Sequence, residues 1–149
     1  MKITPYCRGV YYHETDRMDV VNHSNYIHWM EEARVDFMLK MGLPYEKMEE
    51  EGVMLPVLEI NCNYKSSFRF GEHIAVITKI VEYNGFKLKL SYDIYNEKTK
   101  KLCAYGTSSH CFTDCQIKPI RIIKKHPNMH ELFKNAMDIE YDFLDSREF

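Results

Sequence analysis

The chain predicts an α+β protein in which an antiparallel sheet wraps around one long central helix. Three observations carry this. One helical stripe of apolar residues occupies about 24–41. Four strand-like segments follow it in succession, and Asn84-Gly85 marks a tight hairpin between two of them. Successive hairpins build an antiparallel sheet, and a single striped helix covers one of its faces.

Taken in order, residues 6–13 read as a strand, with Tyr6, Arg8 and Val10 alternating with Cys7, Gly9 and Tyr11. A polar stretch, 14–23, leads into the helix. Tyr26, Trp29, Met30, Ala33, Phe37 and Met41 recur every three or four positions along it. Asn22 or Ser24 supplies a cap, and Gly42 followed by Pro44 stops it. A short polar helix is expected over Tyr45–Glu51. Segment 56–65 alternates Leu58, Ile60, Cys62 and Tyr64 with Glu59, Asn61, Asn63 and Lys65, as in a strand with one wet face. Segment 73–83 is apolar on both parities and therefore central. Segment 86–96 turns Phe86, Leu88, Leu90, Tyr92 and Ile94 to one side. Segment 102–113 carries small residues on one parity, Ala104, Gly106 and Ser108, which permit close approach of a helix or ligand. A charged run, Lys118–Lys125, precedes a short helix near Asn128–Met137. The whole, 1–149, reads as one domain with a core of about 6–125 and a C-terminal tail of about 126–149.

Composition narrows the function. With 45% apolar and 28% charged residues and a net charge of −2, nothing global points to nucleic acid. No apolar run approaches the ~20 residues that cross a bilayer, so no membrane insertion is expected. Met1–Tyr6 lacks the apolar core of a signal peptide, and the five cysteines form no CxxC pair, so reduced thiols and a cytoplasmic location are expected. No Gly-rich phosphate loop, GxSxG elbow or HExxH helix is present. His23 and His28, or Cys111 and Cys115, lack the spacing of a zinc site, so no metal is expected.

The chemistry concentrates in 12–26. Glu14 and Asp16 stand just upstream of the helix start, and Glu14 is expected to face solvent. A carboxylate acts as nucleophile or general base, and helix N–H groups hold a developing oxyanion. Asp16 also suits a plain turn, where its side chain accepts a local N–H.

The pattern Tyr12-x-Glu14-Thr15-Asp16-x-Met18-x-Val20-Val21-x-His23-x-Asn25-Tyr26, continued by Trp29-Met30-Glu31-Glu32-Ala33-Arg34, resembles the hotdog-fold acyl-CoA thioesterases. The closest group is the 4-hydroxybenzoyl-CoA thioesterase-like branch, which includes the Tol–Pal-associated thioesterases. The likeness extends through Leu55–Glu59, Asn63–Ser66, Tyr92–Tyr95 and Ala104-x-Gly106. It implies hydrolysis of an acyl-CoA thioester to acid and CoA, with Asp16 catalytic and the backbone at or next to His23 polarising the carbonyl. It also implies a homodimer or homotetramer with sheets joined edge to edge, and no cofactor beyond the coenzyme A of the substrate.

The candidate substrate-binding residues are Asn25, Tyr26, Glu59, Lys65 and Arg69, the last two as a basic cluster for phosphates. Three positions depart from the family pattern: Asp19 replaces a usual Gly, Asn22 a common aromatic or His, and Ser67 a frequent Pro. Acyl-carrier-protein thioesters and non-catalytic acyl-CoA binding are the alternative functions.

Overall fold

The computed structural model describes residues 1–143. Strand β1 (Lys2–Ile3) and strand β2 (Tyr6–Gly9) open the chain, and helix α1 (Ser24–Lys40) and helix α2 (Tyr45–Glu50) follow. Strands β3 (Val57–Tyr64), β4 (His73–Tyr83), β5 (Lys87–Asn96) and β6 (Leu102–Cys111) come in succession. Helices α3 (Ile122–Lys125) and α4 (Pro127–Ala136) and strand β7 (Glu140–Tyr141) complete the described chain. The end of the expected tail, 144–149, lies outside the described residues.

The main sheet is antiparallel with the order β2-β4-β5-β6-β3, and β1 pairs separately with β7. Leu88, Leu90, Tyr92 and Ile94 of β5 are buried, as their shared parity predicts. On β4, Ile74–Thr78 is buried on both parities, which suits a strand covered on both sides. Against this sheet α1 buries Tyr26, Trp29, Met30, Ala33, Phe37 and Met38.

Gly106 of β6 lies tight against both the neighbouring β3 backbone and α1. A Cβ there would lie 2.0 Å from the Asn61 carbonyl oxygen and 3.0 Å from Met30 Cε. The small residues of β6 therefore admit the helix and the neighbouring β3 backbone. At the far end of α1, Gly42 takes φ 99° and ends the helix as its position predicts.

The first strand is shorter than its alternation suggests. It ends at Gly9, and Tyr12–Glu14 forms a 3-10 turn. The reason is local: the Glu14 carboxylate accepts the Tyr11 N–H at 2.7 Å, and the Glu14 N–H donates to the Tyr11 carbonyl at 3.0 Å. Those bonds replace the strand ladder.

The two sheet edges are treated differently. Past its pairing with β2, the β4 edge is covered by Tyr141, whose hydroxyl donates to Thr78 O at 2.6 Å and accepts Thr78 N–H at 3.1 Å. Among the described residues the β3 edge has no strand beyond it, and Val57, Leu58 and Tyr64 on it are exposed.

Candidate active site

Residues 10–23 connect β2 to α1, and one buried carboxylate organises them. Glu14 is only 4% exposed. Its Oε1 pairs with the Arg8 guanidinium and accepts the Tyr11 N–H, and its Oε2 accepts Trp29 Nε1–H at 3.0 Å. Its carbonyl oxygen accepts the Asn22 N–H at 2.9 Å and Asn25 Nδ2–H at 3.0 Å. Arg8 continues to Glu32 on α1 at 3.0 Å, and Tyr6 donates to the same carboxylate at 2.7 Å. Glu14 thus ties β2, the connection and α1 together. The expectation that it faces solvent is corrected: a buried charge needs partners, and Arg8 and the Trp29 indole supply them.

Two residues later Asp16 sits in the opposite setting. It is exposed. Its Oδ1 accepts the Met18 N–H at 2.9 Å, closing a small turn, and its Oδ2 has no partner among the described residues. The turn is pinned by a Thr15–Val21 bridge, by Asp16 N–H to Val20 O at 2.9 Å, and by Val21 N–H to Phe68 O at 2.9 Å. Asp16 is therefore both a turn residue and a carboxylate with one oxygen presented to solvent. Asp19, where a Gly is usual, takes φ 64°. The backbone keeps the left-handed geometry that glycine favours, at a cost in strain.

The helix start follows at once. Asn22 Oδ1 accepts both the N–H and the hydroxyl of Ser24, at 3.0 and 2.8 Å. Of the two expected caps, Asn22 bonds into the first turn from one residue ahead of the N-cap position, which His23 occupies without a side-chain cap bond. The Ser24 N–H is consequently occupied, whereas the His23 N–H has no protein acceptor among the described residues. The His23 ring is exposed and meets Tyr64 edge-on, with centroids 6.2 Å apart, and the Tyr64 hydroxyl donates to His23 O at 3.1 Å. Tyr64 in turn lies edge-on to Tyr26 at 4.9 Å. Sequence reading gave Tyr64 no part here. Its parity toward the helix face was the available signal.

The candidate binding residues divide. Asn25 donates from Nδ2 to Glu14 O and Asn22 O and so anchors the connection. Tyr26 is 3% exposed, packed by Trp29, Tyr64 and Phe68, and burial pushes its phenol up to about 12. It is a wall of the core. Glu59 lies on the β3 face turned away from α1, opposite in parity to Ile60, Cys62 and Tyr64. Within one chain that face is turned from Tyr64, which contacts His23, and Glu59 is expected to support the neighbouring subunit's site.

Lys65 and Arg69 are exposed on the segment leading from β3 to β4. Arg69 Nη1 stands 3.9 Å from Asp19 Oδ2, which brings the basic segment beside the Asp16 turn. No group of three or more potential metal ligands occurs among the described residues.

This geometry has counterparts. The model of the thioesterase-like superfamily matches residues 10–145. YneP of Bacillus subtilis (strain 168), which bears the provisional name of an acyl-CoA thioesterase, is 41% identical over 85% of this chain and 92% of its own. The acyl-CoA thioesterase YbgC of Helicobacter pylori (strain 26695) is 34% identical over 60% of this chain and 64% of its own. The crystal structure of a DHNA-CoA thioesterase from Staphylococcus aureus superposes with a TM-score of 0.83 at 34% identity, covering 91% of each chain. The chain belongs to the thioesterase-like superfamily, as a hotdog-fold thioester hydrolase.

Proposed function

We propose that the protein hydrolyses an acyl-CoA thioester to the free acid and coenzyme A, with Asp16 as base or nucleophile and the His23 N–H as the oxyanion donor. One observation carries this reading: an exposed carboxylate with a free oxygen lies on the connection that leads into α1, and the His23 N–H just ahead of that helix has no acceptor among the described residues. The names of the relatives supply the substrate class.

A thioester is already activated, so little machinery is required. Asp16 takes a proton from water as the water oxygen attacks the carbonyl carbon, and the carbonyl oxygen becomes an oxyanion at the His23 N–H. One such donor is typically worth ~3–4 kcal/mol, and the positive end of α1 adds to it. The C–S bond then breaks, and the proton held by Asp16 returns to the departing thiolate. If Asp16 attacks directly, an anhydride forms and one carboxylate oxygen exchanges with labelled water.

Lys65 and Arg69 suit the phosphates of coenzyme A as exposed cations near the Asp16 turn. The unpaired β3 edge suits a homodimer. Two-fold pairing of identical edges is antiparallel, and it lays Val57 of one copy near Tyr64 of the other.

The test is free-thiol release against short, long and aromatic acyl-CoAs, with Asp16→Ala in parallel. Turnover that disappears in the variant is the expected result. Silence across the panel from a folded protein would overturn the reading, and full activity of Asp16→Ala would remove that residue from it.

A further inference from the structure

The backbone donors around the helix start are nearly all in use. Val21 N–H donates to Phe68 O and Asn22 N–H to Glu14 O, both at 2.9 Å. Ser24 N–H goes to Asn22 Oδ1, Asn25 N–H to Asn22 O at 3.0 Å, and Tyr26 N–H to His23 O at 3.3 Å. Between Val21 and Tyr26 the His23 N–H alone has no acceptor among the described residues. His23 takes the N-cap position with helical angles, φ −57° and ψ −28°, and its side chain makes no cap bond. A favoured N-cap residue fixes the first turn with its own side chain. Here part of the fixing comes from outside the helix.

It comes from Tyr64 at the end of β3. Its hydroxyl donates to His23 O at 3.1 Å, and its ring stands edge-on to the His23 ring and to the buried Tyr26 ring. The strand is firm at this end. Tyr64 pairs with Ala104 of β6, and the N–H groups of Lys65 and Ser66 both donate to Cys103 O, at 2.8 and 3.0 Å. Partial burial and the neighbouring Cys62 thiol push the Tyr64 phenol up, so the hydroxyl keeps its proton and remains a donor at neutral pH. The peptide that carries the His23 N–H is held through Asn22 O, which accepts Asn25 N–H and Asn25 Nδ2–H. The next peptide is held through His23 O by Tyr64. Two fixed peptide planes leave the His23 N–H little freedom of direction.

We propose that Tyr64 is a positioning residue for thioester hydrolysis: its hydroxyl, carried on the strand, fixes the His23 carbonyl and so aims the His23 N–H at the developing oxyanion. The inference rests on the role given to His23 above. An oxyanion donor acts chiefly in the transition state, so a fault in its aim lowers kcat and spares KM.

The test is Tyr64→Phe, which removes the hydroxyl and keeps the ring, measured beside the unmodified full chain. Steady-state acyl-CoA hydrolysis, melting temperature and deuterium uptake by mass spectrometry are read on both. The expected result is a kcat lower by about five- to tenfold with KM within about twofold. The melting temperature should not change, and uptake should quicken by about threefold or more over residues 21–27 alone. An unchanged kcat would overturn the proposal. So would a raised KM at unchanged kcat, which makes Tyr64 a substrate contact, or a lowered melting temperature with faster uptake across the sheet, which makes it merely structural. Full activity of Asp16→Ala beside a lowered kcat in Tyr64→Phe would remove Asp16 from the mechanism and keep Tyr64, so the two readings fail separately. If the unmodified protein turned over no acyl-CoA, the function above would fall, and unchanged uptake over 21–27 would then overturn the hold of Tyr64 on His23 as well.

Discussion

Glu14 and Asp16 are two residues apart and have opposite surroundings. Glu14 is buried, holds the charge of Arg8, and accepts bonds from β2, from its own turn and from α1. Asp16 is exposed, and one of its oxygens is free. One carboxylate is spent on structure, which leaves the other available for chemistry. The difference arises because the 3-10 turn directs Glu14 inward, while the Thr15–Val21 bridge holds Asp16 on the outside of the next turn.

The strongest way to break this contrast is to neutralise the buried member. Glu14→Gln leaves Arg8 without its buried partner, and removing one member of such a pair costs about 3–5 kcal/mol. Urea unfolding should show that loss, whereas Asp16→Asn should lie within about 0.5 kcal/mol of the unmodified protein. If the two variants lost equal stability, the division of roles would not hold.

Acid should act through the buried His110. His110 has a folded pKa of about 4 against an ordinary 6.5, so the unfolded chain takes up its proton first as pH falls. The stability it contributes is fully present above about pH 6.5 and is lost progressively toward pH 4, to a total of about 3 kcal/mol. Melting temperatures measured across that window should fall, and His110→Gln should flatten the profile.

The smallest effect concerns the turn that carries Asp16. Asp19→Gly relieves a non-glycine φ of 64° and should stabilise the fold by about 0.5–1 kcal/mol. The Arg69 contact it removes, 3.9 Å long between exposed groups, is worth little. A drop in melting temperature would show that Asp19 does more than tolerate the turn.

Most of the frame was legible in the residues. Alternation located β3 and β5, β4 stood out as apolar on both parities, and Gly42 marked the helix end because the chain there takes positive φ. The small residues of β6 correctly announced a close approach, since Gly106 meets Met30 and the β3 backbone. What alternation did not reveal was pairing over distance. Glu14 read as solvent-facing because its partners Arg8 and Trp29 lie on a strand and a helix that meet only in the fold. Tyr64 was overlooked for the same reason, since it reaches His23 from 41 positions away.

The most direct measurement is kcat/KM for acyl-CoA hydrolysis by Asp16→Ala, taken together with its melting temperature. The account predicts a loss of about 10²–10³-fold, in the range typical of general-base catalysis, with the melting temperature unchanged. Full turnover in a variant that remains folded would contradict it.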